Sequence, residues 1–139
     1  MRAAIADTGP LVAYLDRSEP HHPWVREQVD ELDAPLLVCE PVLAEALHRL
    51  ARLSGAQQLL FGLLEKGALK LAFRVEEYVP ELRKLHQKYS DRPMSFADAC
   101  VVRMAEINDR HAVFTLDSDF MVYRKHGRNP LALIHPAVT

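Results

Sequence analysis

Apolar and polar positions alternate along this chain on two length scales. Short, nearly uninterrupted apolar runs are separated by longer stretches with helical spacing, and this rhythm is the mark of a parallel sheet joined by helical crossovers. The runs Ala3–Ala6, Leu36–Cys39, Leu69–Phe73, Ala112–Leu116 and Leu131–Ile134 predict five strands. Between them the spacing predicts a helix from Thr8-Gly9-Pro10, with Thr8 as cap and Leu11, Val12 and Leu15 inward. A second runs from His22 to Leu32 behind Pro23, and a third from Pro41 through Val42, Leu43, Ala46, Leu47 and Leu50. Ala56–Lys66, bracketed by Gly55 and Gly67, Glu76–Tyr89, and Ser95–Asp109 with Ser95 as cap complete the helices. Trp24, Phe61, Phe73 and Phe96 fall where core aromatics are expected. The expected fold is α/β, with a mostly parallel five-stranded sheet.

Four carboxylates break this pattern. Asp7, Glu45, Asp98 and Asp117 each interrupt or end an apolar run, as in Ile5-Ala6-Asp7 and Phe96-Ala97-Asp98-Ala99-Cys100. Burying a charge is costly unless it is paired, protonated or bound to metal. In open parallel sheets, ligands bind beyond the carboxyl ends of the strands, where the crossover direction switches. Asp7 ends the first strand and Asp117 follows the fourth; Glu45 lies in the helix after the second, and Asp98 opens the helix before the fourth. Gathered together, they make a divalent-metal site.

Each acid also has a plainer explanation. Asp7-Thr8-Gly9-Pro10 is good strand-to-helix turn chemistry. Ser95-Phe96-Ala97-Asp98 matches a capping box, although the wheel sets Asp98 beside Val102 and Ala105, away from Arg103, Glu106 and Arg110. Glu45 falls outside the Leu43-Leu47-Leu50 stripe, beside Arg49 and Arg52, where an i,i+4 pair with Arg49 would contribute about 0.3–0.5 kcal/mol. In Thr115-Leu116-Asp117-Ser118-Asp119-Phe120 either aspartate could cap a short helix, or the two could ligate a metal and brace the ligand. Glu40, directly after the second strand, is an alternative to Glu45. Lys84 and Lys88 read as a solvated face, while Arg124, Lys125 and Arg128 form the best candidate patch for RNA phosphates.

Composition narrows the function classes. A 139-residue chain that is 49% hydrophobic suits one domain over residues 1–139, with a core that needs no disulfides. The first acid comes too early for a signal peptide or membrane span, so a soluble, cytoplasmic protein without membrane attachment is expected. Cys39 and Cys100, both within apolar stretches, suit buried thiols, and the seven histidines form no HExxH pair. A net charge of −2 argues against general nucleic-acid coating and leaves room for a small RNA site.

The order Asp7-Thr8, Pro41…Glu45, Ser95-Phe96-Ala97-Asp98-Ala99 and Thr115-Leu116-Asp117-Ser118-Asp119-Phe120 resembles the PIN-domain family, and within it the VapC-type toxin ribonucleases. The resemblance spans nearly the whole chain. It implies a three-layer α/β/α sandwich and a Mg²⁺- or Mn²⁺-dependent endoribonuclease. It also implies that Asp7, Glu45, Asp98 and Asp117 are the acidic quartet, Thr115 its polar partner and Asp119 an additional acidic position. Glu40 departs from the family pattern, in which a small hydroxyl residue is common nearby. A homodimer and a small inhibitory antitoxin protein are further implications.

Oxygen-only ligands favour Mg²⁺ or Mn²⁺ over softer metals. Asp7, Asp98 and Asp117 are expected to hold metal and Glu45 to position the nucleophile or a second ion, with Thr8 and Thr115 orienting the acids. Two rivals stand beside this reading. A non-catalytic PIN-like module would act through a protein partner. A phosphotransfer receiver would need paired acids after the first strand, an Asp after the third and a Lys after the fifth, where this chain has Asp7 alone, Phe73-Arg74-Val75 and His135. A DxD phosphatase fails because position 9 is Gly.

Overall fold

A computed structural model describes residues 2–138. In chain order it contains β1 (Ala3–Ala6), α1 (Thr8–Leu15), α2 (His22–Asp30), β2 (Leu36–Val38), α3 (Glu40–Leu50), α4 (Ala56–Glu65), β3 (Leu69–Leu71), α5 (Val79–Lys88), α6 (Phe96–Ile107), β4 (His111–Phe114), β5 (Arg124–Lys125), β6 (Asn129–Pro130) and β7 (Leu133–Ile134). Short 3₁₀ turns occupy Val75–Tyr78 and Ser118–Met121. The sheet order is β3-β2-β1-β4-β7, and every pairing is parallel. Such a sheet must be covered on both faces. Accordingly Ala4, Ile5, Ala6, Val38 and Val113 are fully buried. Helix α6 packs on β1 and β4 and against α5, while α1 packs on α2, α3 and α4, giving the expected sandwich of helices about a central sheet.

The order of strands fixes where a site can form. From β1 the chain steps through β2 to β3 at one edge, then returns to place β4 on the other side of β1. The carboxyl ends of β1 and β4 therefore flank the point where the crossover direction reverses, the usual crevice of open α/β sheets. The register Ala6↔Phe114 sets those ends level.

Several elements differ in detail from expectation. Asp7, not Thr8, is the N-cap residue of α1; Thr8 is its first helical residue, which frees the hydroxyl for another partner. The stretch Glu76–Tyr89 divides into the 3₁₀ turn and α5, because Pro80 lacks an N–H and is accommodated in the first turn of a new helix. Leu131–Ile134 contributes only two residues to the sheet, and the preceding segment folds back as the antiparallel β5–β6 hairpin. Phe73 is buried and Trp24 packs on Phe114, whereas Phe61 and Phe96 are exposed instead of joining the core. Cys39 and Cys100 are buried free thiols, as their apolar settings suggested.

Candidate active site

Asp7 leaves β1 with its amide still in the sheet, donating to the Phe114 carbonyl at 2.9 Å. Its carboxylate turns toward β4, where Oδ2 accepts a 2.8 Å hydrogen bond from the fully buried Thr115 hydroxyl. The same hydroxyl oxygen accepts the Asp117 amide at 2.9 Å. One threonine thus fixes the Asp7 carboxylate and the backbone that carries Asp117. Asp117 in turn caps the 3₁₀ turn, its Oδ1 accepting the Asp119 amide at 2.9 Å.

The capping box expected at Asp98 is present, and the same carboxylate has a further partner outside its own helix. It closes a complete capping box, Oδ2 accepting the Ser95 amide at 3.2 Å while its own amide donates to Ser95 Oγ at 3.0 Å. Oδ2 also accepts a 3.1 Å hydrogen bond from Tyr123, whose ring is buried edge-on against Tyr89 and Phe120. Glu45 reaches the same place from α3, where Oε2 accepts the Thr8 hydroxyl at 3.2 Å. The i,i+4 partner considered for it, Arg49, instead faces Glu19.

These side chains line one open cleft of about 410 Å³, with Asp7, Glu45, Asp98, Asp117 and Asp119 on its walls. All four acids singled out by their interrupted apolar runs are thereby brought together, with Thr8 beside them. Glu40 is not among them: it lines a separate cleft with Arg74 and Glu77. Nor do Arg124, Lys125 and Arg128 line the carboxylate cleft. The Arg124 guanidinium donates to the carbonyls of Met121, Val122 and Tyr123, and Lys125 lies 3.4 Å from Asp109.

The electrostatics describe a charge deficit. Burial pushes the Asp7 carboxyl up to about 6, against the opposing hydrogen bonds from Thr115 and the Thr8 backbone, and the negative charges of Asp98 and Asp117 push the same way. Asp98 is also raised, chiefly by burial, with its Ser95 and Tyr123 hydrogen bonds opposing. Among the described residues, no three His, Cys, Asp or Glu side chains already stand as a metal cage. Like charges in a partly dry cleft repel, and a bound cation would relieve that repulsion. Carboxylate oxygens without sulfur or imidazole donors fit a hard cation such as Mg²⁺ or Mn²⁺.

The sequence reading missed Tyr123. It lies 25 positions beyond Asp98, and no local spacing marks a tyrosine that donates from the β4–β5 connection back to α6.

Comparison with known proteins agrees with this geometry. A family model described as PIN domain matches residues 4–125. Ribonuclease VapC26 of Mycobacterium tuberculosis (strain ATCC 25618 / H37Rv) is 33% identical over 115 residues, covering 81% of this chain and 85% of the relative. The crystal structure of Mycobacterium tuberculosis VapC20, a sarcin-ricin loop cleaving toxin, superposes with a TM-score of 0.77 at 15% identity, covering 86% of this chain and 94% of the other. The family model over residues 4–125 and the 33% identity to VapC26, with a sheet order and switch-point acids that agree, lead to one assignment: the chain belongs to the PIN domain family, in its VapC group.

Proposed function

We propose that this chain is a divalent-metal-dependent endoribonuclease acting as the toxin of a type II toxin–antitoxin pair. The observation that carries the reading is the cleft at the β1–β4 switch point, where Asp7, Glu45, Asp98 and Asp117 converge with too little positive charge to balance them. A bound Mg²⁺ or Mn²⁺ would supply that charge, lowering the pKa of an attacking water and neutralising the phosphate as it is cut. Asp7, Asp98 and Asp117 would hold the ion. Glu45, from the α3 wall, would orient the water, with Thr8 holding its carboxylate in place. Thr115 keeps Asp7 and the Asp117 backbone in register, and Asp119 stands beside them as a further oxygen donor.

The ribonuclease activity named for VapC26 and the sarcin-ricin loop cleavage named for VapC20 support RNA as the substrate. The same kinship supports an antitoxin partner, a homodimer, a cytoplasmic setting and action as a single domain over residues 1–139. No helix among the described residues is long and apolar enough to cross a membrane.

The decisive experiment compares the wild type with Asp98→Asn on structured and single-stranded RNAs, with Mn²⁺ and with EDTA. Cleavage should require Mn²⁺ and fall by about 10²-fold or more in the variant. Equal cutting by both proteins would point to a contaminating nuclease and sink the proposal. The unclosed arrangement of the acids favours one second reading, a PIN-like module that acts only through a protein partner. That reading predicts no thermal stabilisation by Mn²⁺, whereas a metal-binding enzyme must be stabilised by its ligand.

A further inference from the structure

Among the described residues, a single basic side chain, Arg49, lines the carboxylate cleft. RNA must bring a string of negative phosphates to a surface already lined by five acids, and the metal would offset charge only at the bond being cut. A second positive group is needed for the neighbouring phosphate, and the two basic residues of β5 are already engaged. Arg124 is tied to three carbonyls and Lys125 faces Asp109.

Arg49 is held loosely. It lies one helical turn after Glu45 on α3, so both side chains project from the same side toward the cleft. Its Nη2 is 3.9 Å from Glu19 Oε1, at the outer limit of an ion pair, and the side chain is 43% exposed. Arg52, one turn on, behaves differently: its Nη2 lies 2.7 Å from Asp16 Oδ2 and it also reaches Glu19 at 3.9 Å. Glu19 is thus shared by two arginines, and Arg52 can hold it when Arg49 leaves. The guanidinium of Arg49 is free to turn, and its planar fork matches two phosphate oxygens.

We propose that Arg49 is a substrate-contacting residue that grips a backbone phosphate adjacent to the scissile one. The proposal rests on the nuclease reading for its substrate and adds the group that docks that substrate. A contact to a flanking phosphate contributes to binding, so its loss raises KM and leaves kcat nearly unchanged.

The test measures binding and turnover separately. Binding of a short fluorescein-labelled single-stranded RNA to Asp98→Asn is followed by anisotropy across a salt series, with and without Arg49→Ala. The added substitution should weaken Kd about tenfold, as expected for losing a charged hydrogen-bonded contact. It should also reduce the slope of log K against log salt by about 0.7, one single-strand phosphate contact. In the otherwise wild-type enzyme, Arg49→Ala should raise KM by a similar factor, and Arg49→Lys should recover the salt slope but only part of the affinity. Arg74→Ala, at an exposed arginine paired with Glu77 over the other cleft, serves as the control and should change none of these. Unchanged Kd and salt slope in Arg49→Ala, or a fall in kcat with KM unchanged, would overturn the proposal. If the wild type cuts no RNA with Mn²⁺ while the Arg49-dependent slope is present, the nuclease reading fails and the phosphate contact stands.

Discussion

Helix α1 has a buried aspartate at each end, Asp7 at the N-cap and Asp16 at the C-cap, and the two have opposite electrostatic fates. The helix dipole should favour the anion at Asp7 and disfavour it at Asp16. Their acidities run the other way. Asp7 is pushed up to about 6 by burial, with one threonine hydroxyl and a backbone amide opposing and two acids nearby. Asp16 is held below the usual carboxylate range by the Ser18 hydroxyl and amide and then by Arg52, at 2.7, 3.0 and 2.7 Å. Immediate partners outweigh the dipole, whose influence is confined to one turn and is small beside desolvation. Both acids end apolar runs in the sequence, yet one is a finished structural ion pair and the other a buried acid with no cation beside it among the described residues.

The sharpest way to separate them is Asp7→Asn. With Mn²⁺ present, cleavage should fall by about 10²–10³-fold, because the proposed metal site would lose a ligand. With EDTA the same variant should be more stable than the wild type at neutral pH. The folded protein holds the Asp7 proton more tightly than the unfolded chain does, so this acid's contribution is fully present below about pH 4 and is lost as the pH rises through about 6. Asparagine removes that loss. A shift from 3.8 to about 6 sets an upper bound of about 3 kcal/mol, and a gain of about 1–3 kcal/mol is expected in urea unfolding at pH 7.5, shrinking toward pH 4. A variant that is less stable at both pH values would show that Asp7 is a structural acid like Asp16.

A smaller effect is expected one layer out. Burial, with Asp98 close by, raises the Tyr123 hydroxyl well above its ordinary value, so it stays protonated and donates to Asp98. Tyr123→Phe keeps the ring packing and removes only that donor. Groups that orient a metal ligand typically change affinity by about 10–100-fold, and here the Ser95 amide still holds Asp98, so the lower end is expected. Calorimetric titration should show Mn²⁺ binding about tenfold weaker, with kcat recovered at saturating metal. Unchanged Mn²⁺ affinity would reduce Tyr123 to a packing residue.

How much of this the sequence carried follows from the range of each interaction. Strand ends are local features, so Asp7 and Asp117 stood out at once, and the Ser95 cap and the apolar flank of Asp98 were equally legible. Glu45 was not: its wheel position resembled a surface ion pair, and only the family resemblance placed it with the others. Its Thr8 partner is 37 residues away, and that hydroxyl was expected to cap α1. Tyr123, the release of Arg49 from Glu45 and the pairing of Asp16 with Arg52 depend on packing between elements, which no window along one helix reports. The β5–β6 hairpin was hidden for a similar reason. Two-residue strands have almost no periodicity, and no spacing along the chain reports that Arg124, one of the three basic residues expected there, is bound by carbonyls.

The least effect on chemistry, and the clearest on stability, is expected at the other end of α1. Asp16→Asn retains an oxygen for the Ser18 amide and hydroxyl but removes the charge that Arg52 faces. Because the folded-state acidity of Asp16 lies below its unfolded value, its contribution is present at neutral pH and fades as the pH falls through the carboxylate range. The variant should therefore melt about 5 °C lower at pH 7, with the difference closing toward pH 3. Cleavage per folded molecule with Mn²⁺ should remain within about twofold of wild type, since Asp16 does not line the carboxylate cleft. Cutting slowed by about tenfold in a protein that still binds RNA normally would mean that α1 transmits strain from Asp16 to Asp7. The helix would then be a lever between the two acids, and the separation of structural from functional aspartate would fail.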